Sequence, residues 1–255
     1  MAYVIALAGK GGTGKTTVAA LTIRYITEKK KRPVLAVDAD PNNCLNEALG
    51  VDIHATIGTL REESLDIIRS GAERPGGMSM EQIFDYQVQQ SLIESKGFDL
   101  MVMGRPEGPG CYCAANNIIR KYTDKLSETY PYVVIDNEAG MEHLSRRTTH
   151  KVNVLLIVSD PTLRGIETAK RINRLVDELQ LEIENRVVII NRVHGNEGDE
   201  LKKLAVEYGL QIAGIVPQDE KIFSLDLQGK PVFQLPADSA AVKATFNILD
   251  SLQIP

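Results

Sequence analysis

The sequence predicts an α/β protein with a mainly parallel, twisted β-sheet flanked by helices on both faces. Three observations carry that expectation. Apolar, β-branched runs recur between helical stretches, at Tyr3–Ala8, Val34–Val37, Leu100–Met103, Tyr132–Ile135, Val152–Val158, Val187–Ile190 and Ile212–Val216. Strands that alternate with helices build βαβ units, and the resulting parallel sheet is buried on both faces. Between the first run and the first helical stretch lies a glycine-rich loop, Gly9-Lys10-Gly11-Gly12-Thr13-Gly14-Lys15-Thr16-Thr17. No internal repeat or low-complexity linker divides the 255 residues, a length that suits one large domain. Residues 1–255 therefore read as a single domain.

Charge and composition exclude several function classes. The net charge of −5 argues against a broad nucleic-acid surface. No segment approaches the roughly 18 consecutive apolar residues of a membrane span. The chain enters a strand at once, without the charged and apolar regions of a secretion signal, so it reads as cytoplasmic. The basic run Lys29-Lys30-Lys31-Arg32 falls where the first helix should end, a place where cations suit the macrodipole. Three cysteines in such a chain point to reduced thiols or metal ligands rather than structural disulfides.

Taken in order, the elements assemble a nucleotide site. Tyr3–Ala8 reads as a buried strand, and Thr16 to Lys30 as a helix with Val18, Leu21 and Ile26 on its apolar face. The loop between them fits G-x-x-x-x-G-K-[ST], whose backbone N–H groups cradle phosphates where no side chain obstructs them. In that arrangement Lys15 reaches the β- and γ-phosphates and the Thr16 hydroxyl binds Mg²⁺. The second strand runs into Asp38-Ala39-Asp40-Pro41-Asn42-Asn43, and a later one into Asp136-Asn137-Glu138-Ala139-Gly140. Strand-end carboxylates beside such a loop hold Mg²⁺ through water, the role expected of Asp38 and Asp136, or orient the attacking water. An acidic turn before a helix would explain either segment alone. Gly140 would let its N–H approach the γ-phosphate. Thr56 to Glu94 reads as mostly helical, broken at Pro75-Gly76-Gly77, and as an excursion from the sheet.

The pattern K-G-G-x-G-K-[ST], followed by D-x-D and D-x-x-x-G, resembles the deviant-Walker-A P-loop ATPases. These include the nitrogenase iron protein, the MinD and ParA ATPases and metal-cluster maturation ATPases. The resemblance implies that Lys10 crosses a dimer interface to the partner's nucleotide, as an arginine finger would, and that Asp40 positions water. It also implies ATP as the nucleotide. Asn191, beside Arg192 at a strand end, matches the base-recognition asparagine, and Val216-Pro217-Gln218-Asp219 matches the loop around the adenine.

A second constellation follows the Leu100–Met103 strand. Gly108-Pro109-Gly110-Cys111-Tyr112-Cys113 precedes a helix expected from about Ala114 to Leu126. Residues two apart in an extended segment point the same way, so Cys111 and Cys113 can converge on one ion. A helix N-terminus favours thiolate, the ligating form. Two ligands do not close a site that normally takes four, and a two-fold dimer would supply the other two. A pair of small buried hydrophobes is the plainer alternative. Cys44, without a partner by spacing, is expected in the core.

The C-x-C segment, joined to Asp136-Asn137-Glu138-Ala139-Gly140-Met141-Glu142-His143, is similar to the CooC family over nearly the whole chain. Those ATPases mature carbon monoxide dehydrogenase and, in the AcsF branch, acetyl-CoA synthase. The likeness implies an ATP-dependent homodimer that binds Ni²⁺, or Zn²⁺, through Cys111 and Cys113 of both subunits and serves a client nickel enzyme. Glu138, Glu142 and His143 would then form a switch that reports nucleotide state; an exposed acidic helix start is the alternative. Against the nitrogenase iron protein, no cysteine follows Cys113. Against MinD, the C-terminus lacks a basic amphipathic membrane helix. A ParA-type role on DNA conflicts with the net charge. The rivals are an ATP-gated iron–sulfur electron donor and a positioning ATPase.

Overall fold

The computed structural model describes residues 2–70, 77–105, 111–139, 151–195 and 197–255, with backbone alone at 68 and 111–116. Eight strands form one sheet: β1 (Tyr3–Gly9), β2 (Val34–Ala39), β3 (Ile93–Ser95), β4 (Phe98–Val102), β5 (Tyr132–Asn137), β6 (Lys151–Ser159), β7 (Glu182–Val193) and β8 (Ile212–Pro217). Their order is β3-β4-β2-β5-β1-β6-β7-β8. Every pairing is parallel except that of the short edge strand β3 with β4. Seven carboxyl ends therefore share one edge. From β1 the chain crosses to β2 on one side, while β6 lies on the other, so β1 flanks the topological switch point where ligands of open α/β sheets bind.

The strands are apolar on both faces because both are covered. Ile5 and Leu7 of β1 join one core, and Val4, Ala6 and Ala8 join the other, the alternation that a pleated strand imposes. The first core is closed by α1 (Lys15–Tyr25), α2 (Leu45–Leu49) and the C-terminal helix α9 (Ala240–Ser251). The second is closed by α3 (Ile57–Ser70), α4 (Met80–Gln90), α5 (Cys111–Leu126), α6 (Leu163–Glu178) and α7 (Gly198–Glu207). The other α-helix among the described residues, α8 (Glu220–Leu227), has no buried residue.

Three expectations needed correction. The first helix ends at Lys30 as expected, but over Ile26–Lys30 it widens from an α-helix into a π-turn, stopped by Lys31 at φ 52°. It is also buried well beyond an apolar stripe, since α9 lies across it: the Tyr25 ring meets Phe246 edge-on at 5.3 Å and its hydroxyl donates to Asp250 at 2.6 Å. The Thr56–Glu94 stretch is helical in α3 and α4, as expected, but its last residues return to the sheet as β3. Ile57, Leu60 and Val88 pack its helices into the second core, and α4 starts on a Ser79/Gln82 capping box. The third concerns the cysteines: α5 already begins at Cys111, and Cys44 is exposed.

Candidate functional site

The glycine loop leaves β1 at the switch point and runs into α1. Gly9 can carry no side chain, because a Cβ there would lie 2.3 Å from the Val158 carbonyl oxygen of β6. Gly14 caps α1 in the left-handed region at φ 86°, and a Cβ would lie 2.4 Å from Asn191 Nδ2. The loop turns on itself: Thr13 N and Oγ1 both donate to the Lys10 carbonyl, at 3.4 and 2.9 Å. Lys15 and Thr13 are buried, Thr16 and Thr17 are half-buried, and Lys10, Gly11 and Gly12 are exposed. Lys10 is thus presented outward while Lys15 is held inside.

Asp38 and Asp136 lie opposite each other in the register of β2 and β5, at the edge where the loop sits. Asp38 is fully buried, and its two oxygens accept the N–H groups of Asp40 and Leu45, both at 3.0 Å. Burial pushes its carboxyl up to about 7, and the Asp136 charge adds to that against the two N–H donors. Asp136 is pushed up to about 6, again chiefly by burial, which the Thr16 hydroxyl and the Lys15 charge oppose. Its Oδ1 is buried without a hydrogen-bond partner. An orphaned carboxylate oxygen next to the Thr16 hydroxyl is costly unless a donor or cation meets it. These all-oxygen groups fit Mg²⁺, the hard cation of phosphate sites. Asp40 is half-buried and accepts from the Asn42 backbone and side chain at 2.8 and 3.1 Å.

The other candidates come together beside α1. Thr17, Asn191, Arg192, Pro217, Asp219 and Phe223 line a cleft of about 410 Å³, of a size for a nucleoside. Asn191 and Arg192 do more than line it. Asn191 Nδ2 donates to the Thr13 carbonyl and Arg192 Nη1 to the Gly12 carbonyl, each at 2.8 Å. Asp219 is a wall rather than an open contact, because its carboxylate accepts from Lys221 N at 2.9 Å, Ser239 Oγ at 2.5 Å and Ala241 N at 3.1 Å. Burial opposes ionisation there, but those donors hold the carboxyl below its usual range.

The cysteines are placed differently from the expectation. Cys111 and Cys113 do not lie in an extended segment: α5 already begins at Cys111. Residues two apart on a helix are set roughly 200° apart about its axis, so the alternation of an extended segment does not apply to this pair. Cys44 is not in the core. It is exposed at the N-cap of α2, where Leu45 takes the buried position, and partial desolvation with the nearby Asp40 charge raises the pKa of its thiol. Gly140, Glu142 and His143 lie outside the described residues, as do the side chains of Cys111 and Cys113; Ala139, next to Gly140, lies against Gly11. The sequence reading missed Asn43, whose Oδ1 accepts from Gly104 N at 3.1 Å. That bond, with Met103 N donating to the Asp38 carbonyl at 2.8 Å, ties the loop after β2 to the chain leaving β4 for α5. The Asp-Pro-Asn-Asn turn was the available signal, because asparagine commonly caps such turns.

A glycine loop at the switch point of a parallel sheet, with buried lysine, threonine and carboxylate around it, defines a P-loop nucleotide-binding protein. Residues 4–232 match the CbiA family, the CobQ/CobB/MinD/ParA nucleotide binding domain, and the chain belongs to that family of P-loop ATPases. It is 41% identical over 249 residues to an uncharacterized ATP-binding protein of Methanocaldococcus jannaschii, covering 98% of each chain. It is 32% identical over 186 residues to the carbon monoxide dehydrogenase accessory protein CooC of Rhodospirillum rubrum, covering 70% of each. A ParA family ATPase from Chlorobium tepidum shares the fold, with a TM-score of 0.72, 20% identity and coverage of 97% of this chain and 98% of that one. Among the described residues no helix is long and apolar enough to cross a membrane.

Proposed function

We propose that the chain is a cytoplasmic, ATP-dependent metallochaperone that carries nickel on a cysteine site shared by two protomers and assists its insertion into carbon monoxide dehydrogenase or acetyl-CoA synthase. The observation that carries the reading is Cys-x-Cys at the start of α5, the helix that follows β4, in a chain 32% identical over 186 residues to CooC. In this reading ATP lies on Gly9–Thr17 with its base in the Asn191–Pro217 cleft, and Asn191 Oδ1 accepts from the base while its Nδ2 holds the loop. Thr16, with Asp38 and Asp136 through water, holds Mg²⁺, which when bound neutralises charge on the phosphates. Lys15 binds the β- and γ-phosphates, and Asp40 aligns the attacking water. Lys10, exposed on the loop, reaches the partner's nucleotide.

A dimer answers two gaps at once. Lys10 faces outward, and one chain supplies two thiolates where a nickel or zinc site of this kind takes four. The Asn43–Gly104 bond supplies a physical link from the nucleotide loop to the segment leading into α5. Adding the protein with MgATP to nickel-free client enzyme at limiting Ni²⁺ should raise client activity, and Cys111→Ala with Cys113→Ala should abolish the gain while ATP binding persists. Full activation by the double variant would refute the cargo site.

A further inference from the structure

The carboxyl end of β7 is hydrogen-bonded to the phosphate loop. Its pairing register with β8 shifts between Ile190 and Val193, and within that bulge Arg192 adopts the left-handed backbone at φ 58°. That conformation is unfavourable for a residue with a side chain, and bulges serve to re-aim side chains. Here the bulge sends the guanidinium to the loop: Arg192 Nη1 donates to the Gly12 carbonyl at 2.8 Å, and its nitrogens would lie 3.7 Å from a Cβ at Gly14. The neighbouring Asn191 holds the next carbonyl, that of Thr13. Because a trans peptide is planar, its carbonyl and N–H point opposite ways. Pinning the Gly12 carbonyl toward β7 directs Thr13 N–H into the turn on Lys10, and pinning Thr13 directs Gly14 N–H away from β7.

We propose that Arg192 is a positioning residue for the triphosphate: aimed by the β7 bulge, it fixes the Gly12–Thr13 peptide so that the loop is preorganised for phosphates, and it acts independently of the base. The inference rests on the reading of Gly9–Thr17 as a triphosphate site. The test measures Kd for MgATP, MgCTP and magnesium tripolyphosphate in the wild type, Arg192→Ala, Arg192→Asn and Arg192→Lys. Arg192→Ala should weaken every ligand by the same factor, about tenfold, as expected for one charge-assisted hydrogen bond. Arg192→Asn, which tolerates the left-handed backbone but falls short of the carbonyl, should match it, with an unfolding midpoint no lower than that of the wild type. Arg192→Lys, which keeps a donor, should recover part of the loss for every ligand. A loss confined to ATP would make Arg192 a base contact and overturn the proposal, as would unchanged affinities in Arg192→Ala. A wild type that binds none of the three would overturn the triphosphate-site reading itself, and the role of Arg192 with it.

Discussion

Replacing Asp38 by Asn should change how stability depends on pH. The folded protein holds this carboxyl at about 7 against an ordinary 3.8. Between those values the native state keeps a proton that the unfolded chain has released, so stability falls as pH rises through the window. The slope is about 1.4 kcal/mol per pH unit for one proton, which over roughly three units is at most about 4 kcal/mol. The penalty is absent below about pH 4 and complete above about pH 7. Asn cannot titrate, but it has one acceptor where Asp38 serves the N–H groups of both Asp40 and Leu45, so the variant should start about 1–3 kcal/mol less stable at acid pH. The deficit should shrink, and can reverse, toward pH 8. The assay is urea unfolding of the nucleotide-free protein in chelator, at several values from about pH 4.5 to 8.5. A residual slope from Asp136, raised to about 6 mainly by burial, should remain in the variant. Parallel stability curves for wild type and variant would refute the reasoning.

Other outcomes follow from single contacts. Gly14→Ala puts a Cβ 2.4 Å from Asn191 Nδ2 on a φ of 86°, so it should lower stability by about 1–3 kcal/mol and abolish nucleotide binding, read by thermal unfolding with and without MgATP. Lys10→Ala, which removes an exposed side chain, should leave ATP affinity within a few-fold while turnover drops about 100-fold or more; unchanged steady-state hydrolysis would rule out its role across the interface. Ser239→Ala removes a buried donor from Asp219 and should cost about 1–3 kcal/mol, seen in the urea midpoint, with little effect on ATP affinity, because Asp219 supports the cleft wall.

Much of this was legible in the chain because periodicity and burial coincide in a parallel sheet. The seven apolar runs are all strands, since each is covered on both faces and needs no alternation to announce it. The phosphate loop was readable because glycine there has a steric reason, seen at Gly9 and Gly14. β3 was not: three residues at a sheet edge carry no period. The π-turn at Ile26–Lys30 leaves no compositional mark. Cys44 was misplaced because a cysteine's identity says little about exposure, and Leu45 beside it filled the buried position. Cys111 and Cys113 were expected in an extended segment before a helix from about Ala114, whereas α5 starts three residues earlier; helix ends are the part of an element that pattern fixes least. Asn191 was matched to the base by resemblance; that it and Arg192 also hold the loop was not legible, because the bulge at Arg192 depends on pairing with β8, which no local pattern encodes.

The most direct measurement is nickel bound per chain, by elemental analysis after anaerobic gel filtration, with and without a non-hydrolysable ATP analogue. A nucleotide-controlled site of four thiolates predicts about one nickel per two chains, a stoichiometry or affinity that changes with the analogue, and loss of the metal in Cys111→Ala with Cys113→Ala. Nickel retained by the double variant, or bound identically with and without nucleotide, would contradict it.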